Sequence, residues 1–406
     1  MGKRFEIICA ISAAFAGRLQ KRNGKLRRIA DAENTGEKIK MLKRIDLSRN
    51  FAAHEQEYMD AIHRVCAETA FSGGKYADEF AENFAAYLGC KYATGVNNGT
   101  SALHLAMLAL GIGPGDEVIV PANTYIATAW GVTYTGATPV FADCREDTWE
   151  IDPDSVRGKI TARTKAIIGV HLYGQPFAYR ELRQIADQDG LFLVEDCAQS
   201  AGAEYEGIKT GHLCDISCFS FYPGKNLYAF GEGGAVTTDH PEWMDKINVL
   251  KNQGCRTRYY HEAVGYNMRL EGIQGAVLSV GLRYLDAWNA RRIELGERYD
   301  REIRNPIIQK QVHPAGTRTV YHLYEIQVSD PEDFIAYMRA RGVECNRHYP
   351  VPCHLQKAYA DLGYHAGDLP HAEKLAAHCV TLPMFPEMTD EEAELVIRLC
   401  NDYKKS

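Results

Sequence analysis

Lys225 stands in the run Ser220-Phe221-Tyr222-Pro223-Gly224-Lys225-Asn226-Leu227, and Gly231-Glu232-Gly233-Gly234 follows it. Upstream, Glu195-Asp196-Cys197-Ala198-Gln199 closes the apolar run Leu191-Phe192-Leu193-Val194. A strand that delivers a carboxylate, then a Gly/Pro-flanked lysine near a serine, is the set of groups that pyridoxal phosphate chemistry requires. The lysine forms a Schiff base and afterwards moves a proton, while the carboxylate keeps a ring nitrogen protonated so that the ring can accept electrons. A lysine after a glycine is ordinarily a solvated surface residue. What singles this one out is the order of acidic strand end, serine, lysine and glycine run.

Those groups need elements to hold them. Apolar residues at helical spacing run through 53–70 and 78–88, the latter stopped by Gly89. Asn97-Asn98-Gly99-Thr100-Ser101 is a polar turn that opens a helix over 102–110. Short strands are expected at 117–120, 138–142, 166–170, 191–194, 216–222 and 234–238, with helices from near Thr124 and over 177–189. Strands alternating with helices predict an α/β fold with a mostly parallel sheet, whose ligands bind beyond the carboxyl ends of the strands. A long helical region over 271–303 is expected to join this large domain (44–303) to a smaller C-terminal α/β domain (304–406).

The 406 residues exceed one typical core. Residues 1–44 carry 12 Lys/Arg against 4 Asp/Glu, whereas the whole chain is at −7. The body is therefore acidic, which argues against nucleic-acid binding. No stretch has the length of a membrane helix. The twelve cysteines are scattered, and Cys214 and Cys218 lack the second pair that a zinc site needs, so no metal is expected. Together these features fit a reducing cytoplasm. Residues 1–43 form a basic extension, expected to be poorly ordered, and Met41 is a candidate alternative start.

Seven segments in order resemble the DegT/DnrJ/StrS family, from about Ile45 to the C-terminus. They are Asn98 to Leu103, Pro121 to Thr128, Val170 to Pro176, Glu195 to Gln199, Phe219 to Gly234, Gly265 to Arg269, and His348-Tyr349-Pro350. The resemblance implies a fold-type I, pyridoxal-phosphate-dependent sugar aminotransferase that passes through the pyridoxamine form. It also implies roles for residues. Lys225 would be the catalytic lysine, and Asp196 the partner of the pyridine nitrogen. Gly99, Thr100, Ser101 and Ser220 would hold the phosphate, Tyr125 would stack on the ring, and Gln199 would sit near the phenolic oxygen. Asn267 would reach the phosphate of a neighbouring subunit, which implies a homodimer with shared sites. His171 and Tyr349 would line the substrate side.

The reaction so implied moves an amino group from glutamate to a nucleotide-linked keto-sugar. The segments around Lys225 and Tyr259–Asn267 look most like the subgroup acting at C3 of 3-keto-6-deoxyhexoses. A 4-keto sugar or a keto-inositol remains an alternative substrate, as does a non-enzymatic regulator on the same fold. Dehydratase relatives carry histidine at the lysine position, so Lys225 argues against that activity.

Overall fold

The computed structural model describes residues 41–405. The expectation of disorder for the extension falls on residues 1–40, outside the described residues. Residues 41–43 differ from it, because Leu42 is buried and bridges Val343 in parallel.

Helices α1 (Leu47–Ala67) and α2 (Lys75–Leu88) lead in. The Asp46 carboxylate caps α1 by accepting from the Ser48 N–H, and Gly89, at φ +83°, ends α2 in the left-handed conformation that glycine adopts without strain. The order then runs β1 (Tyr92–Val96), α3 (Gly99–Ala109), β2 (Glu117–Pro121), α4 (Ala127–Thr133), β3 (Thr138–Ala142), β4 (Thr164–Val170), α5 (Tyr179–Asp189), β5 (Phe192–Asp196), β6 (Ile216–Ser220) and β7 (Gly234–Thr238).

These seven strands form one sheet in the order β1-β7-β6-β5-β4-β2-β3. The pairs β2–β3, β2–β4, β4–β5 and β5–β6 are parallel, and β7 runs antiparallel to both β6 and β1. All five residues of β2 and of β7 are buried, as strands covered on both faces must be. Sequence patterning gave no sign of β1, a five-residue edge strand whose first residue is exposed and whose buried part includes Thr94 and Gly95.

The long helical region is two helices, α7 (Gly272–Leu282) and α8 (Leu285–Glu302), after α6 (Pro241–Lys251). Between them the Arg283 and Tyr284 N–H groups bond to Val280 and Gly281, a tightened turn that redirects the chain. Beyond α8, strands β8 (Gln309–Lys310), β9 (Tyr324–Gln327) and β10 (Cys379–Leu382) make a second, three-stranded sheet. Its apolar cluster includes Ile326, Phe334, Val380 and Val396, but also Leu295, Tyr299 and Ile303 of α8 and Leu42. Leu42, with Ile45 against it, is thus part of the second core.

Candidate active site

The carboxyl ends of β1, β2, β4, β5 and β6 open on one cavity of about 610 Å³. β5 brings Asp196 to it. Alternation along that strand sends Glu195 to the opposite face, where its two oxygens accept from Gly211 N–H, Leu213 N–H, Cys214 N–H, Ser217 Oγ and the His171 ring. Burial alone would push Glu195 up, but the His171 ring and these donors hold it below the usual carboxylate range. His171, Glu195 and Cys197 lie within metal-binding reach of one another, yet a carboxylate with both oxygens already saturated is a structural anchor.

Asp196 is 4% exposed. Its Oδ2 accepts from Thr128 Oγ at 2.8 Å and its Oδ1 from the Ala198 N–H at 3.1 Å. Burial raises its pKa, while those two donors and the Lys225 charge oppose the rise. A buried carboxylate poised this way favours a cationic partner such as a protonated ring nitrogen.

Lys225 lies on the cavity wall in a tight turn, its N–H bonded to Tyr222 O and Gly224 at φ +101° before it. Asn226 fixes the turn from below, donating to Asn289 Oδ1 and Val320 O. Burial pulls the Lys225 ammonium down to about 8, against the pull of Asp196 and helped by the charge of Arg44. No ion pair joins Lys225 to Asp196 among the described residues, so the two groups face the cavity separately.

On the far wall α3 begins. The Asn98 side chain caps it by accepting from the Ser101 N–H at 2.8 Å, and the first-turn N–H groups of Gly99 and Thr100 have no helical partner. Ser220 at the end of β6 packs so close that a Cβ on Gly99 would lie 2.7 Å from its Cβ. Orphan N–H groups, a helix N-terminus and a hydroxyl suit a phosphate. With Lys225 and Asp196 on the same cavity, the residues present fit pyridoxal phosphate.

Tyr125, Gln199 and Tyr349 close the remaining side. The Tyr125 and Tyr349 rings lie 5.5 Å apart, and Gln199 Nε2 donates to the Tyr349 hydroxyl at 3.3 Å while its Oε1 accepts from the Tyr173 N–H. The cavity therefore gathers Gly99, Thr100, Tyr125, Asp196, Gln199, Ser220, Lys225 and Tyr349.

Ser101 and His171 lie off the cavity, and Asn267, expected to serve a neighbouring subunit, lies off its own. Ser101 is buried behind the cradle with its N–H taken by Asn98. His171 is fully buried and stacked on Phe177, one ring nitrogen on Glu195 and the other accepting from the Phe177 N–H. With both nitrogens occupied and no exposed surface, it has nothing to offer a substrate, and that expectation is corrected. Asn267 is exposed and outside the cavity, bridged to Asn252. Sequence reading missed Arg44, Thr128, His322 and His348, all on the cavity. Thr128 and His348 lie inside two of the family-like segments, whereas Arg44 gave no local signal.

A curated relative from Streptomyces venezuelae, dTDP-3-amino-3,4,6-trideoxy-alpha-D-glucose transaminase, is 43% identical over 360 residues, spanning 88% of this chain and 95% of its own. A Geobacillus stearothermophilus relative called pleiotropic regulatory protein is 39% identical over 362 residues, 88% of this chain and 97% of its own. The crystal structure of S. venezuelae DesV in complex with a ketimine intermediate superposes with a TM-score of 0.88 at 41% identity, covering 89% and 98% of the two chains. Solved chains of similar fold carry the pyridoxal and pyridoxamine forms of the cofactor. The chain matches the DegT/DnrJ/EryC1/StrS aminotransferase family over residues 52–400, and to that family of pyridoxal-phosphate-dependent enzymes it belongs.

Proposed function

We propose that this aminotransferase moves the amino group of glutamate to C3 of a nucleotide-linked 3-keto-6-deoxyhexose, giving a nucleotide-linked 3-amino sugar and 2-oxoglutarate. The observation that carries the reading is Lys225 on a cavity that also holds Asp196 and the α3 cradle. The C3 assignment draws its support from the 3-amino-sugar transaminase that is 43% identical.

The bound cofactor supplies an electron sink for the carbon that loses its proton. Gly99, Thr100 and Ser220 would hold its phosphate, Asp196 would face its ring nitrogen, Lys225 would engage its carbonyl carbon, and Tyr125 and Gln199 would flank the ring. Once its amine is free, Lys225 takes the α-proton of the donor. Burial that draws its ammonium down to about 8 leaves a useful fraction of neutral amine near pH 7, which a base requires.

The active unit is a homodimer. The 255–261 hairpin exposes Tyr259 and Tyr260 at 77% and 72%, Val264 beyond it is 91% exposed, and Asn267 follows at the surface, which supports a role for it in a second subunit's cradle. The division into a large domain over 44–303 and a small one over 304–406 belongs to the same reading. No helix among the described residues is long and apolar enough to cross a membrane, and all eleven described cysteines are free, which supports a cytoplasmic location.

Mass spectrometry and NMR of products from a panel of nucleotide-linked 3-keto and 4-keto sugars with glutamate tests the assignment. Nitrogen at C4 rejects the sub-assignment. The relative with a regulatory name favours a second reading, in which the fold binds the cofactor and regulates. A cofactor-loaded protein that turns over nothing in the panel would favour it.

A further inference from the structure

Arg44 is the cavity residue that the fold brings from farthest away in sequence. The segment before it pairs with the small sheet's neighbourhood, Leu42 N–H bonding Gly342 O and Glu344 N–H bonding Leu42 O. The residue after it, Ile45, reaches the lysine turn, its Cδ1 lying 3.5 Å from the Cβ position at Gly224. The chain thus passes the lysine turn and sets Arg44 on the cavity that also holds Lys225, His348 and Tyr349.

The guanidinium makes no side-chain hydrogen bond and no ion pair with any described residue. The nearest carboxylates, Glu344 and Glu325, attract it through space without a direct ion pair. Glu344 accepts from the Arg44 main-chain N–H, and Glu325 is buried, takes the Thr381 hydroxyl, and is pushed up to about 8. Burial outweighs the attraction of these carboxylates, and Arg44, without an ion pair among the described residues, loses some of its proton affinity. His322 and His348, also on the cavity, are held neutral by burial, which leaves Lys225 as the other cationic group there. A guanidinium on a cavity wall with no partner among the described residues suits an anion with two oxygens, which its planar fork meets bidentately.

Resting on the reading of glutamate as donor, we infer that Arg44 anchors the α-carboxylate of the amino donor. That carboxylate sits on the carbon bearing the reacting nitrogen, which must come up beside Lys225, and the Ile45–Gly224 contact puts Arg44 next to that turn. The diphosphate of a sugar nucleotide is set apart from C3 by ring carbons and the anomeric oxygen.

The test compares wild type, Arg44→Gln and Arg44→Lys as cofactor-loaded full-length proteins. Single-turnover reaction with L-glutamate is followed by absorbance, and calorimetry measures binding of glutarate, an unreactive dicarboxylate, and of dTDP, UDP and GDP. In Arg44→Gln the affinities for L-glutamate and glutarate should fall about 10- to 100-fold, the range for a lost charge-assisted pair. Arg44→Lys should recover part of the loss, with nucleotide affinity and the cofactor spectrum unchanged. Undiminished glutarate and glutamate binding in Arg44→Gln overturns the assignment, as does loss confined to the nucleoside diphosphates. A wild type that fails to react with L-glutamate at all overturns the donor reading along with it.

Discussion

Asp196→Asn separates charge from shape at the buried carboxylate proposed to hold the ring nitrogen. The carboxylate accepts two hydrogen bonds, from Thr128 Oγ and from the Ala198 N–H. An amide keeps the Ala198 bond through its oxygen and turns its NH₂ toward Thr128. Thr128 can accept that bond, because its own proton has Thr124 Oγ as an alternative partner at 2.9 Å. The fold should therefore survive, and removing a buried negative charge should leave the melting temperature unchanged or slightly raised. What disappears is the attraction for a protonated ring nitrogen, worth about 4 kcal/mol for charges roughly 4 Å apart at an effective dielectric near 20. At about 1.4 kcal/mol per factor of ten, single-turnover reaction with L-glutamate should slow about 10³-fold. The phosphate cradle and Lys225 remain, so the cofactor should still load. Stopped-flow absorbance with a thermal melt measures both. A variant that loads cofactor and reacts within tenfold of wild type would refute the role given to Asp196.

Other consequences are open to measurement. Lys225 has a folded pKa of about 8 against 10.5, so the unfolded chain binds more protons between those values and stability of the cofactor-free protein rises with pH through that window. Lys225→Met should then stabilise the cofactor-free protein at pH 7 by about 1–3 kcal/mol, since the group is partly solvent-reached, and the gain should vanish near pH 10. An equal difference at both pH values contradicts this. Mixing inactive Lys225→Ala subunits with inactive Asn267→Ala subunits should restore up to about a quarter of wild-type activity if each site draws on both chains; verified exchange without recovery points to sites within one chain. A protein starting at Met41 should match the full chain in kinetics and melting temperature. One starting at Asp46 loses the buried Leu42, about 1.5–3 kcal/mol, together with Arg44, and should melt lower and bind L-glutamate more weakly.

The chemistry of the site was legible because it is carried by short segments at strand ends. Lys225 needs its Gly/Pro turn, Asp196 its apolar strand and Gly99-Thr100 its helix start, and each of these is local sequence. The parallel sheet followed from the alternation of strands and helices. Strand β1 escaped because five residues at a partly exposed edge carry little apolar pattern, and the break between α7 and α8 because helical periodicity is uninterrupted across it. The strand period of two did not by itself say which of Glu195 and Asp196 faces the cavity; the family resemblance pointed to Asp196, and the packing around β5 turns that side chain to the cavity. His171 looked like a substrate residue from its segment and proved to be a buried tie to Glu195, since a side chain's partners are set by elements far along the chain. Arg44 is the extreme case. Nothing near it in sequence marks it, and it reaches the lysine turn because Leu42 is buried in a core made of residues some three hundred positions later, beyond the reach of any local signal.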